Sequence, residues 1–179
     1  MERPRGFSLV EMVLTIVMLS ILASVAYPKI SGLLSTTRGG AAAQKLLTDI
    51  RYTQRIAMAR EKLYGIEFDV NLERYRVFDV STGTNEADPF TGNPGVAGQS
   101  WSSGFVVNYP SHPELSGVTL TSTNFDVPGT GNQLRFDSLG RPRNAASALF
   151  VSAGSVALSS GGYSRTITVQ PDTGYAEAP

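Results

Sequence analysis

The sequence predicts an α+β fold in which one long N-terminal helix packs against antiparallel β-sheets. Three observations lead to this prediction: an apolar stretch near the N-terminus, an amphipathic helical pattern after it, and a succession of short strand-like segments. The 179 residues balance 15 Lys+Arg against 15 Asp+Glu and include no cysteine. A globally basic nucleic-acid binder is therefore disfavoured, and disulfides, thiolate metal sites and a cysteine nucleophile are excluded.

The first element is the apolar stretch at residues 6–28, GFSLVEMVLTIVMLSILASVAYP, whose only charged residue is Glu11. About 20 apolar residues suffice for a helix to cross the hydrocarbon core of a membrane, so this stretch is predicted to span one. We expect Pro28 to bend or end the helix on its far side. Arg3 and Arg5 on the short flank predict a cytoplasmic N-terminus and an extracytoplasmic remainder.

Glu11 is the feature of this stretch that needs an explanation. A carboxylate within an inserting helix costs about 2.5–3.5 kcal/mol near the bilayer centre. Cleavage after Gly6 would make Phe7 a new N-terminus, with its ammonium group about one helical turn before Glu11. A second copy, displaced along the helix axis, would then place its ammonium group on Glu11 while the apolar faces pack. Alternatively, Glu11 sits at the membrane interface and complements the positive end of the helix dipole.

Two simpler interpretations of the apolar stretch stay open. One is a cleaved secretory signal, in which the small residues 23–26 form the cleavage site and Tyr27 becomes the first residue. The other is a plain uncleaved anchor. Neither of them accounts for Glu11.

The motif GFSLVE at residues 6–11, followed by the apolar run, closely resembles the class III signal of type IV pilins and type II secretion pseudopilins. The resemblance implies that a prepilin peptidase cuts after Gly6 and methylates the amine of Phe7. It gives Glu11 the role of the assembly glutamate.

The same resemblance implies a domain organisation and a location. Residues 1–6 would be the leader peptide, and residues 7–28 the helix that crosses the membrane and later lies in the filament core. The protein would be a single-pass protein of the bacterial inner membrane, with its C-terminal domain in the periplasm. Its partners would be the prepilin peptidase and other major and minor pilins or pseudopilins.

Residues 29–62 are predicted to continue the stalk as an amphipathic helix. The pair Gly39-Gly40 is expected to allow bending or local melting of this helix. Apolar residues recur at spacings of three, four and seven and predict one stripe buried against a sheet: Ala43, Leu46, Leu47, Ile50, Ala57 and Met58. The charged residues are expected largely on other faces: Lys45, Asp49, Arg51, Arg55 and Arg60.

Residues 63–179 are predicted to form a β-rich globular domain. Residues 64–69 and 74–78 alternate with period two around a short turn and predict a hairpin. Residues 81–104 are dense in Gly, Pro, Ser and Asn and predict a long surface loop that Trp101 anchors. Further strands are predicted at residues 105–109, 118–121, 133–137, 149–152, 155–158 and 165–170.

Three segments of this domain resemble the GspH/FimT family of minor pseudopilins and minor pilins. They are residues 43–69, the segment LRFDSLGRP at 134–142, and residues 165–169 with Thr173-Gly174. The resemblance implies a type IV pilin-like fold. It implies a minor pseudopilin of a type II secretion system that assembles into, or primes, the pseudopilus. The alternative is a FimT-like minor type IV pilin for pilus initiation or DNA uptake.

The sequence offers no catalytic constellation, so we expect a structural and interaction protein, without enzymatic activity or cofactor. His112 lies in a turn-rich loop and is expected to be solvated. The scattered acidic residues match no calcium loop or zinc helix, so no metal site is predicted. A secreted enzyme behind an ordinary signal peptide is the remaining alternative class.

One basic turn is a candidate for DNA binding. In Gly140-Arg141-Pro142-Arg143 the glycine suits a turn with positive φ and the proline has a fixed φ. Arg141 and Arg143 would bind phosphate groups, and Arg135 would add a third positive charge across the sheet. The turn also resembles the Gly-Arg-x-Arg pattern associated with DNA binding in FimT-type pilins. Alternatively, both arginines are solvated or pair with Asp137.

Overall fold

A computed structural model describes residues 8–125 and 131–179. One helix, α1, runs from Leu9 to Arg60. Nine strands follow: β1 (Tyr64–Asp69), β2 (Arg74–Asp79), β3 (Val106–Asn108), β4 (Thr119–Asn124), β5 (Gln133–Phe136), β6 (Pro142–Arg143), β7 (Gly154–Ser160), β8 (Tyr163–Val169) and β9 (Ala176–Glu177). The chain divides into two units, one up to Leu34 and one from Ser35 onward.

The strands form two antiparallel sheets. The first has the order β3-β2-β1-β5-β6 and the second the order β4-β7-β8-β9. The predicted hairpin is confirmed, with Tyr64 opposite Asp79 and Asp69 opposite Arg74. Together with α1 these sheets confirm the predicted α+β class.

The core of the second unit lies between α1 and the sheets. The helix contributes a stripe of buried residues: Ala42, Ala43, Leu46, Leu47, Ile50, Ile56 and Ala57. They cluster with buried aromatic side chains of the sheets, and Phe68 of β1 stacks on Phe125 with the ring centroids 5.3 Å apart. Most of the predicted stripe is therefore buried, but Met58 is exposed.

The helix is continuous at both positions where an end or local melting was considered. Pro28 does not end α1, which continues to Arg60, and the expected bend at Pro28 stays a prediction. Proline removes one backbone hydrogen bond, which a helix tolerates as a local defect when the residues on both sides favour helix. The pair Gly39-Gly40 is also helical, and Gly39 is buried. A Cβ at Gly39 would collide with the ring of Tyr163, so the glycine serves close packing of α1 on β8.

Two further corrections concern the strands. The segment 149–152 is not a strand, because Leu149 makes a single bridge to Arg143 and Val151 is exposed. Strands β6 and β9 were not predicted, since two residues are too short to show any alternation.

The loop at residues 81–104 is tied to the first sheet by buried polar contacts. The amide of Asn85 donates to the carbonyl oxygens of Ser100 and Ser103, and its Oδ1 accepts from Arg76. The guanidinium of Arg74 lies 4.3 Å from the ring centroid of Trp101. The loop is therefore organised by its contacts with β2, as the prediction for Trp101 requires.

Candidate functional site

The helix between Leu9 and Leu34 has an uncovered apolar surface. Every side chain in this stretch whose burial is described is exposed, including Leu22 at 67%. Exposed apolar area costs roughly 25 cal/mol per Å² in water, and surfaces of this kind mark sites of contact with protein or lipid. The helix is also long and apolar enough to cross a membrane, by length and composition.

The polar groups on this surface fall into two kinds. Three hydroxyls donate to a backbone carbonyl in the preceding turn at 2.8 Å: Thr15 to Met12, Ser20 to Ile16 and Ser24 to Ile21. They are satisfied within the helix. Glu11 lies in the first turn and is exposed, and no group in the described part of the chain donates a hydrogen bond or an ion pair to its carboxylate. Glu11 is therefore the group on this surface to which a partner molecule could donate a hydrogen bond or an ion pair.

Gly6 and Phe7, the predicted sites of cleavage and methylation, lie outside the described residues. Their roles remain predictions. Glu11 is two residues inside the start of α1, where the positive end of the helix dipole favours a negative charge.

The arginine turn, residues 137–143, is organised by one carboxylate. Oδ1 of Asp137 accepts from the backbone N–H groups of Leu139 at 3.0 Å and Arg141 at 2.9 Å. Oδ2 accepts from Nε of Arg141 at 3.0 Å and from Nε and Nη2 of Arg143 at 3.0 and 2.9 Å. Gly140 adopts a φ of 76°, as predicted for a turn of this kind. Both arginines are thus paired with Asp137, which was the alternative to DNA binding.

The electrostatics of the turn follow from this geometry. Burial by itself raises the pKa of Asp137, but hydrogen bonds from the Arg141 backbone and the Arg143 guanidinium outweigh it and hold the pKa below its ordinary value. Arg135 stands opposite Arg143 in the β5–β6 register, and burial lowers the pKa of its guanidinium. The guanidinium of Arg135 donates to Gln133 and Ser147. Two guanidinium groups therefore share the carboxylate of Asp137, which leaves the turn positively charged.

Gln54 of α1 holds the arginine turn in place, which the sequence pattern did not reveal. Its Nε2 donates at 2.8 Å to the carbonyl oxygen of Gly140 and at 2.8 Å to that of Thr173. One side chain therefore fixes two loops to the helix. A polar residue on a half-buried helical face looks like any solvated glutamine in the sequence, so no signal could have found it.

Asp49 was expected on a face of the helix other than the buried stripe, and its side chain is only 1% exposed. Its Oδ2 accepts from Lys45 at 3.1 Å and from the hydroxyl of Tyr75. Burial raises the pKa of Asp49, while Lys45 and Tyr75 oppose that rise. The spacing of Lys45 and Asp49, one helical turn apart, was the available signal for this pair.

His112 is half-buried in the loop after β3, and its Nδ1 accepts from the backbone N–H of Glu114 at 3.2 Å. Within residues 8–125 and 131–179, no group of three or more His, Asp or Glu side chains is arranged to hold a metal ion.

Comparisons with known proteins agree with this architecture. The model of the prokaryotic N-terminal methylation motif matches residues 1–27, and the family model described as type II transport protein GspH matches residues 42–173. A search of curated proteins gave no significant match.

Two kinds of solved structure are similar. The type IV minor pilin FimU of Pseudomonas aeruginosa is 12% identical, with a TM-score of 0.50 over 80% of this chain and 93% of its own. The minor pseudopilin EpsH from the type 2 secretion system of Vibrio cholerae is 13% identical, with a TM-score of 0.48 over 79% of this chain and 96% of its own. At 12% identity the likeness to FimU concerns the fold alone, and the fold is type IV pilin-like.

These findings confirm the resemblance predicted from the sequence. The GspH match extends over well more than half of the residues and joins an N-terminal methylation motif on the same chain. Members of this family are structural pilin or pseudopilin subunits. The chain belongs to the GspH family of minor pilins and pseudopilins.

Proposed function

We propose that the protein is a minor pseudopilin of a type II secretion system, which assembles into or primes an inner-membrane pseudopilus that drives protein export. The observation that carries the proposal is the carboxylate of Glu11, which has no partner among the described residues, on an uncovered apolar helix. Such a group is costly in an apolar surrounding unless a cation reaches it, and filament packing supplies one. The choice of a secretion system follows the description of the matching family as type II transport protein GspH.

The proposal includes a maturation step. A prepilin peptidase cuts after Gly6 on the cytoplasmic face and methylates the amine of Phe7. The ammonium of Phe7 on an adjoining subunit then pairs with Glu11 as the apolar helices pack. Before assembly, the helix at residues 7–28 anchors the subunit in the inner membrane, with the β-rich domain in the periplasm.

Mass spectrometry of the mature N-terminus tests the processing step. The full chain is produced in membranes together with a prepilin peptidase, and a chain with Gly6→Val serves as the uncleavable control. Methylated Phe7 as first residue supports the proposal. Tyr27 as first residue would establish conventional secretion, and an intact Met1 in the natural sequence would establish a plain anchor.

Deletion of the gene in its host tests the choice of system. The proposal predicts that proteins exported by type II secretion accumulate in the periplasm while surface pili persist. Lost pili or lost transformation with intact secretion would instead support the second candidate.

That second candidate is a FimT-like minor type IV pilin that initiates pilus assembly or captures DNA. The observation in its favour is the arginine turn, where Arg141 and Arg143 share a single carboxylate and Arg135 lies on the neighbouring strand. Arg141 keeps 43% of its side chain exposed and can reach a phosphate, but binding must compete with Asp137.

Salt-dependent DNA binding tests this second candidate. Arg141→Gln with Arg143→Gln should abolish binding, whereas Arg51→Gln with Arg55→Gln removes the same charge from α1 and should leave most of it. Equal losses in the two double variants would show a diffuse charge effect. Absence of binding by the natural chain would end this candidate.

A further inference from the structure

The second unit contains a cleft of about 730 Å³ that the proposed functions do not use. Its walls are the exposed face of α1 around Lys45 and Thr48, the loop around Asp88 and Phe90, and β3 with the turn that follows it, up to Glu114. All three walls belong to one packed unit. The cleft lies well away in sequence from the arginine turn.

The one lysine of the cleft is already engaged. Lys45 pairs with buried Asp49 at 3.1 Å, and its Nζ lies 4.8 Å from the ring centroid of Phe90. The Lys45–Asp49 pair is therefore close to neutral as a unit. The net charge of the cleft therefore depends on its two other carboxylates, those of Asp88 and Glu114.

Two carboxylates of the cleft are not paired with a cation from the described part of the chain. Neither Asp88 nor Glu114 forms an ion pair with any residue in the described ranges. Asp88 is held in position, because it accepts from the backbone N–H of Phe90 at 2.9 Å and from the hydroxyl of Thr91 at 2.8 Å. Its charge reaches the floor of the cleft, where it contributes to the raised pKa of Asp49. The cleft is therefore net negative.

Two further features of the cleft indicate which chemical groups it could bind. Phe90 is 71% exposed, so most of its ring is open to a flat or aliphatic partner group. Asn108 lines the cleft, and its Oδ1 is buried without a hydrogen-bond donor among the described residues. A donor that enters the cleft can satisfy this oxygen after a rotation of the Asn108 side chain. The site thus offers hydrogen-bond acceptors, negative charge and an aromatic face.

We propose that this cleft receives an arginine side chain presented by a neighbouring filament subunit. A guanidinium carries five N–H donors and a delocalised positive charge, and it stacks on aromatic rings, so it matches Asp88, Glu114 and Phe90 together. Lysine offers the charge without the planar donor array and should fit less well. The inference rests on the proposed function in one respect, since a filament places a second subunit against this face.

A pair of isosteric peptides tests the cleft itself. The full chain in detergent micelles is titrated with acetyl-Gly-Arg-Gly-amide and with its neutral counterpart, acetyl-Gly-citrulline-Gly-amide, and nuclear magnetic resonance follows the Asn108 side-chain amide and the Phe90 backbone amide. The arginine peptide should shift both signals saturably and bind at least ten times more tightly than the citrulline peptide. Added salt should weaken the binding.

Matched variants locate the effect. Asp88→Asn with Glu114→Gln should lower the affinity for the arginine peptide at least tenfold, and Phe90→Ala should lower it as well. Asp172→Asn with Glu177→Gln removes the same charge from exposed positions outside the cleft and should leave the affinity unchanged. Unchanged signals elsewhere in the spectrum show that each variant is folded.

Three outcomes would overturn the inference: equal affinity for the two peptides, no saturation, or equal losses in the two double variants. None of them bears on the proposed function, because filament entry through Glu11 is measured separately. Conversely, a Glu11 variant that assembles normally would contradict the proposed function while the peptide result stood.

Discussion

The two halves of α1 share one secondary structure and differ in everything that surrounds it. Between Leu9 and Leu34 every described side chain is exposed, whereas between residues 42 and 57 a stripe of seven apolar residues is buried against the sheets. The polar groups differ in the same way, since Asp49 has two donors and Glu11 has none among the described residues. The β-rich domain therefore buries the apolar surface of the second half and pairs its carboxylate. The apolar surface of the first half would be covered only by another molecule, either lipid or protein.

The largest effect is expected from matched leucine truncations in the two halves. Leu46 is fully buried, so Leu46→Ala should lower the free energy of unfolding by about 2–5 kcal/mol. Leu22 is exposed, so Leu22→Ala should change it by less than about 0.5 kcal/mol. Denaturant unfolding of the full chain in micelles, followed by Trp101 fluorescence, measures both. Similar losses of unfolding free energy in the two variants would contradict the claim that only the second half of α1 is buried in the domain.

The second effect compares the two carboxylates. Asp49→Ala leaves the buried hydroxyl of Tyr75 without its acceptor and should lower the free energy of unfolding by about 1–3 kcal/mol. Glu11→Ala should lower it by no more than about 0.5 kcal/mol, the size of a helix-dipole effect at an exposed first turn, because no described group depends on that carboxylate. The same unfolding assay applies. A larger loss in the Glu11→Ala chain would reveal a partner for Glu11 within the subunit.

The third effect concerns the polar contacts of the helix. Gln54→Ala should cost about 1 kcal/mol, because it frees the carbonyl oxygens of Gly140 and Thr173 from their donor. Gln44→Ala on the exposed face of α1 is the control and should be neutral. Faster proteolysis within residues 137–143 and 170–174 of the Gln54 variant would locate the effect. Equal stability of the two variants would mean that Gln54 does not hold these turns.

The smallest effect is a pH dependence. Because burial raises the pKa of Asp49 in the folded state, the folded chain holds that proton more tightly than the unfolded chain does. The resulting stability is complete below the ordinary pKa of about 4 and is lost as the pH rises through the raised value. The advantage of the natural chain over Asp49→Asn should therefore shrink as the pH rises from about 4. Gln44→Ala, which removes no titratable group from an exposed position of α1, should show no such trend.

The sequence predicted the parts of the fold that repeat a pattern over several residues. The β1–β2 hairpin showed through the alternation of Tyr64, Ile66 and Phe68, and the buried stripe showed through helical spacing. The segment at residues 149–152 resembled a strand because it is apolar, but none of the described strands pairs with it along its length. Whether a segment is paired depends on its neighbours in space, and a local pattern does not contain them.

The candidate site was predictable to a different degree in each part. Glu11 stood out because a charge in an apolar stretch is costly, and the arginine turn stood out through Gly140 and its two arginines. The pairing of both arginines with Asp137 was predicted as one of two alternatives. Gln54 and the burial of Asp49 were not foreseen, because each depends on a tertiary contact with a distant loop or strand.

Filament entry of Glu11 variants tests the central claim most directly. The full chain, Glu11→Gln and Glu11→Asp are co-expressed with the partner subunits, and the fraction of each that is recovered in sheared filaments is measured relative to its amount in membranes. The account predicts that Glu11→Gln, which keeps the shape and loses the charge, stays in the membrane, while Glu11→Asp enters filaments in part. Equal recovery of Glu11→Gln and the natural chain would contradict the claim that the carboxylate recruits an adjoining ammonium group.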